Sequence, residues 1–186
     1  MSSKRGMMDQ FWDIKNSHPG TVLFFRMGDF YEMFHEDAVI GSQTLGLTLT
    51  SRDKKSSEPI QMAGFPWHSL EDHLKTMLNA GHKVTVCEQE DELRPGAKLL
   101  ERVVTRVYTP GSLYEESLIG LDNSAVLAAI SIGKEAIGIA IIDASTGQAH
   151  SSQYSGRNSW QSLHEEMIRS QPSELVFTAK AAEDEN

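Results

Sequence analysis

One cysteine, Cys87, stands among the 186 residues. An intrachain disulfide and a cysteine-based zinc site are therefore excluded, and a reducing, cytoplasmic setting is the expectation. Long apolar runs are missing too. None approaches the roughly 18–20 residues of a membrane helix, so no membrane partner is expected. The stretch from Met1 to Gln10 has basic residues but no apolar core of the secretion-signal kind. Internal repeats and low-complexity tracts are absent. Positive charge is scarce: 17 Lys and Arg face 26 Asp and Glu, for a net −9. Taken alone, that argues against a protein living on nucleic acid, whose usual footprint is clustered positive charge. What is present is a folding composition, 39% hydrophobic and 23% charged, enough for one generous domain or two small ones.

Catalytic signatures are equally sparse. There is no phosphate-binding G-x-x-x-x-G-K-[ST], and Gly133-Lys134 is followed by Glu135 in a turn. There is no G-x-S-x-G and no H-E-x-x-H. Glu32-x-x-His35 has the spacing of helical di-metal sites, but those need a second copy and further carboxylates. His68, His73 and His82 are dispersed and read as surface or capping residues. The expectation is no catalytic residue, no metal and no cofactor within this chain.

Patterning gives the elements. Met7, Met8, Phe11, Trp12 and Ile14 have helical spacing, stopped by His18-Pro19-Gly20. Val22–Phe25 is a dense apolar run, as in a strand buried on both faces. Gly28-Asp29 breaks it, with Asp29 as N-cap of a helix over 30–44 that carries Phe30, Phe34, Ala38 and Leu45 near one face. Strands follow at 47–50 and 60–63 around a polar loop, 52–59. Ser69-Leu-Glu-Asp72 reads as a capping box opening a helix that Gly81 ends. Strands at 83–88 and 100–108 flank a polar loop, 90–98. Beyond a boundary near 112–123, three strands at 125–132, 136–143 and 148–154 form a meander. A helix at 158–170 and a strand at 174–177 complete it. The fold class is α/β: a mixed-sheet domain over 1–115, then a β-β-β-α-β segment over 116–186 with few partners for its last strand, as in the truncated start of a larger domain. The charge divides unevenly: 13 basic against 16 acidic residues up to 115, and 4 against 10 after it.

The most specific stretch is Arg26-Met-Gly-Asp-Phe30-Tyr-Glu32-Met-Phe-His35. Gly28-Asp-Phe-Tyr-Glu32 resembles the Phe-x-Glu motif of the MutS DNA mismatch-repair family. Met62-Ala-Gly-Phe-Pro-Trp-His68, Cys87-Glu-Gln89 and Val107-Tyr-Thr-Pro-Gly111 resemble three further blocks of that family, in order and at family-like spacing over about residues 6–178. Trp67, where smaller aromatics are usual, and the acidic loop 90–98 depart from the pattern.

The resemblance implies a mismatch-recognition domain followed by the start of a ribonuclease H-like connector without nuclease function. Mismatched or looped double-stranded DNA would be the partner, with a homodimer and a MutL-type partner, met through the connector, in the full-length family. ATP and Mg would belong to a C-terminal ATPase outside these residues, and the setting would be cytoplasmic and nucleoid-associated. Mispaired steps stack weakly and kink easily, so a protein finds them by deformability. An apolar wedge in the minor groove opens such a step, and Phe30 is the wedge that the resemblance assigns. By pattern alone Phe30 and Phe34, four apart, read as core aromatics. Glu32 would discriminate: phosphates repel its carboxylate, an intact pair gives it no partner, and a displaced base does. Its competing reading is a first-turn glutamate on the helix dipole. Met27 and Met62 would flank the wedge, Gly28 would let the backbone approach the groove, and Ser51, Arg52 and Arg106 would meet the DNA backbone. Met62 otherwise reads as core filler and each arginine as a solvated charge.

Two other classes compete. Asp143-Ala-Ser-Thr-Gly147 between two strands resembles the first phosphate loop of actin-like ATPases and the first carboxylate of ribonuclease H-like nucleases, either of which would make the chain a phosphoryl-transfer enzyme. A plain turn is the simpler reading of those residues. The third class is a protein-interaction module of a repair complex.

Overall fold

The structure is a computed structural model describing residues 6–52, 59–90, 92–93, 99–111 and 125–178. The chain divides into two compact units, one up to Tyr108 and one from Thr109. The expected boundary at 112–123, and most of the loops at 52–59 and 90–98, lie outside the described residues.

In the first unit, helix α1 (Met7–Ser17) leads into strand β1 (Thr21–Met27). Strand β2 (Phe30–Phe34), helix α2 (His35–Leu45), strands β3 (Thr50–Arg52) and β4 (Ile60–Pro66), helix α3 (Leu70–Asn79) and strands β5 (Lys83–Gln89) and β6 (Arg102–Tyr108) follow. They form one six-stranded mixed sheet in the order β3-β4-β2-β1-β5-β6. β1 runs parallel to β5 and antiparallel to β2. Strand β1, central and covered on both faces, is buried from Thr21 to Phe25, which explains its unbroken apolar run.

Residues of β1 alternate between two cores. Leu23 and Phe25 join Phe11, Phe34 and Cys87 beneath α1, where ring pairs such as Phe11–Phe34 meet edge to face at 5.3 Å. On the opposite face Phe24 meets Tyr31 and Phe65. That face is covered by α2, whose Gly41 admits the Met33 side chain, and by α3, whose His73 ring lies 4.3 Å from that of Phe65.

The segment after Gly28 corrects the expectation. Residues 30–34 are a strand, and α2 starts only at His35. Asp29 is no N-cap: it sits in the two-residue turn between β1 and β2, and its carbonyl accepts the Trp67 N–H at 2.9 Å. The spacing misleads because residues four apart share a face on a strand as well as on a helix. Strand β3 begins three residues later than expected and extends to Arg52. The Ser69 side chain makes no capping hydrogen bond; a short 3-10 turn, Trp67–Ser69, feeds α3 instead. Gly81 closes α3 with φ +85°, its N–H bonded to the Leu78 carbonyl.

The second unit has β7 (Val126–Ile132), β8 (Ala136–Asp143), β9 (Ala149–Ser155), helix α4 (Ser159–Ser170) and β10 (Glu174–Phe177). Its sheet order is β10-β7-β8-β9, with β10 parallel to β7. Val126, Ala128, Ile137, Ile139 and Ile141 pack against Leu163 of α4. Glu166, buried on α4, receives hydrogen bonds from Tyr154 Oη at 3.2 Å and Arg169, and His150 Nε2 lies 3.1 Å away. Asp143 ends β8 at the surface, and its Oδ1 accepts the Ser145 N–H and hydroxyl. Its carboxylate is engaged in holding a hairpin turn. Among the described residues, no three His, Cys, Asp or Glu side chains are grouped to hold a metal.

Candidate nucleic-acid interface at the β1–β2 hairpin

The hairpin is built from Met27-Gly28-Asp29-Phe30, with Met27 and Phe30 as the last pair before the turn. Gly28 has φ +59°. Glycine first and aspartate second in a two-residue loop is the preference of a type II′ turn, whose twist matches that of the strands. Arg26 Nε donates to the Gly28 carbonyl at 2.5 Å. From β6, Arg102 Nε donates to the Arg26 carbonyl at 3.3 Å and its Nη2 to Gln89 Oε1 at 2.9 Å, while Gln89 reaches the Gly28 N–H at 3.4 Å. The turn is therefore tied to two neighbouring strands.

Because β2 is a strand, Phe30, Glu32 and Phe34 project from one face, and Tyr31 and Met33 from the other. Phe34, Tyr31 and Met33 are buried, whereas Phe30 at the tip is 44% exposed. Glu32 pairs with Phe25 on one side and Gly64 on the other. Partial burial raises the Glu32 carboxyl above its ordinary value, and the charge of Arg52 offsets part of that rise.

The remaining expected residues separate into two groups. Met27 stands directly across from Phe30. Arg52 alternates onto the Glu32 face and also donates to Met7 Sδ at 3.2 Å. Met62 pairs with Phe34, four residues along β4 from Pro66, the partner of Phe30. It packs against the α1 cluster and is set back from the tip by about 13 Å of strand. Ser51 alternates to the opposite face from Arg52. Arg106 lies three strands from β2, on the opposite face, with its guanidinium over the Tyr108 ring at 4.7 Å.

Four contributors were not singled out in the sequence. Gly64 and Gln89 lie inside quoted motifs, which was their only signal. Arg26 opens the key stretch, and Arg102 sits in a strand pattern that gives it no distinction from Arg106.

Residues 5–117 match the family model for MutS domain I. The chain belongs to the MutS family. It is 38% identical over 182 residues to the DNA mismatch repair protein MutS of Syntrophomonas wolfei, covering 98% of this chain and 21% of that protein. It is 40% identical over 173 residues to the MutS of Desulforamulus reducens, covering 92% and 20%. The MutS of Halothermothrix orenii matches over the whole chain at 38% identity and 21% coverage. The chain thus spans about a fifth of the length of these curated relatives. The mixed α/β fold accords with MutS domain I followed by the start of a connector.

Proposed function

We propose that this chain is the mismatch-reading part of a MutS-type repair protein, with domain I over residues 1–115 and the beginning of the connector over 116–186. Its partner is double-stranded DNA carrying a mismatch or small loop. Phe30 enters the minor groove and stacks on an unpaired base, and Glu32 bonds that base and is repelled from intact duplex. The observation that supports this best is the position of Phe30, an exposed aromatic at the tip of a turn, while Tyr31 and Phe34 of the same strand are buried. Gly28 and Met27 shape its approach, and Arg52 balances the charge of Glu32. ATP hydrolysis, the homodimer and the MutL-type partner belong to the full-length protein, in a cytoplasmic, nucleoid-associated setting.

The test is the affinity of this chain for a duplex with one G·T mismatch and for its matched counterpart, at low salt. Base–aromatic stacking is worth about 1–3 kcal/mol, so Phe30→Ala is expected to erase the preference for the mismatch. Equal affinity of the unmodified chain for both duplexes overturns the reading.

A further inference from the structure

The tip of the hairpin carries a second exposed aromatic. Trp67 follows Pro66, the residue paired with Phe30, and its N–H holds the Asp29 carbonyl within the turn. Its side chain is 50% exposed, more than that of Phe30. It is nevertheless oriented. The Arg26 guanidinium lies 5.1 Å from the Trp67 ring centroid and 5.3 Å from that of Tyr31, within the range of cation–π attraction. Arg26 is anchored in turn by Glu88 at 3.9 Å and by the Gly28 carbonyl. An exposed indole held in one orientation by a charged clamp has little conformational freedom left to lose on binding.

Arg26 and Tyr31 alternate with Phe25 and Phe30, so this stack lies on the sheet face that Phe30 does not use. A B-form minor groove is only about 6 Å wide, too narrow to admit aromatic side chains from both faces of one hairpin. A hairpin with Phe30 in the groove therefore brings Trp67 to the groove wall.

We propose that Trp67 is a second DNA-contacting residue, donating its indole Nε1–H to a phosphodiester oxygen beside the opened step, with Arg26 as its positioning residue and a source of positive charge next to that phosphate. This rests on the mismatch-reading role of the hairpin and adds a division of labour. Phe30 discriminates, and Trp67 grips whatever the bases are, since backbone contacts carry no sequence information.

The chain has three tryptophans, Trp12, Trp67 and Trp160, hence three indole N–H resonances. Labelled with nitrogen-15 and titrated with a short duplex containing an unpaired thymine, the chain should show a shift of the Trp67 resonance, assigned by its loss in Trp67→Phe, while Trp160 stays in place. Movement of the Phe30–Glu32 amides with a stationary Trp67 indole overturns the proposal alone. Silence of both overturns the mismatch reading and this proposal with it. In affinity measurements Trp67→Ala should weaken matched and mismatched duplexes by the same factor, about 3- to 10-fold for one lost hydrogen bond. Loss of the mismatch preference, as in Phe30→Ala, would instead make Trp67 a reader of bases and overturn the backbone assignment.

Discussion

The carboxylate of Glu32 lies over Gly64: a Cβ built on Gly64 would come within 2.2 Å of Glu32 Oε2 and 2.9 Å of the Tyr31 carbonyl oxygen. The bare backbone of β4 is thus the floor on which the Glu32 carboxylate rests. Gly64→Ala should displace Glu32 and spread β2 from β4, lowering stability by about 1–3 kcal/mol and reducing mismatch preference. In a Glu32→Ala background the same substitution should cost less, which a double-mutant cycle of urea midpoints would read directly.

Glu32 also sets a pH dependence. Burial raises its carboxyl and Arg52 offsets part of the rise, so the protonated form persists above the ordinary glutamate range. The native state binds the extra proton, so the stability linked to this group is fully present below the ordinary value of 4.5 and is lost as pH rises through the raised one. The phosphates of a bound duplex would push in the same direction. Mismatch affinity should fall with rising pH above the ordinary glutamate range, and Glu32→Gln should flatten that component. Duplex titrations across pH, compared between the two proteins, test this.

Asp37 concerns stability alone. Its side chain is buried, accepts the Leu23 N–H at 3.0 Å and pairs with Lys15 at 2.6 Å. The registered pairing of β1 with β2 covers only Phe25 to Met27, so Asp37 supplies the partner that Leu23 lacks on that side. Asp37→Ala should leave the Leu23 amide without its acceptor and the Lys15 ammonium without its counter-ion, with only the Thr21 carbonyl still accepting from it, and cost about 3–5 kcal/mol. Asp37→Asn, which keeps an acceptor, should cost less. Both are read from denaturation midpoints.

The second unit should be acid-sensitive through Glu166. Hydrogen bonds from Arg169 and then from His150 hold its carboxyl down at about 2. A depressed acid contributes stability that is complete above its unfolded value near 4.5 and is lost as pH falls toward 2. Far-ultraviolet melting between those limits should show this loss, and Glu166→Gln should remove it.

Much of this architecture was legible. The apolar run of β1, the meander of β7 to β9 and the helix after it follow from patterns of period 2 and 3.6 with clear turn residues. The Phe-x-Glu stretch was legible only as a resemblance. Its local structure was not, because the spacing of Phe30, Phe34 and Ala38 suits both periods up to the point where α2 really begins. What decides in favour of a strand is distant: β4 and β1 supply partners for β2 on both sides. Gly64 and Arg102 were invisible for a related reason. Each acts across a strand pairing, and no local window of sequence contains both partners.

The alternation along β2 has a consequence for which changes this hairpin tolerates. Phe30 and Glu32 share a face only because one intervening residue returns the chain to the same side. Adding or deleting a single residue in the Gly28-Asp29 turn, with the rest of the ladder kept in place, would rotate the strand by half a pleat. With one residue deleted, Tyr31 and Met33 would point where the phenyl ring and the carboxylate now stand, and both would leave the core that they now fill. The length of this turn therefore decides, as much as the identity of its side chains, what the hairpin presents at its tip.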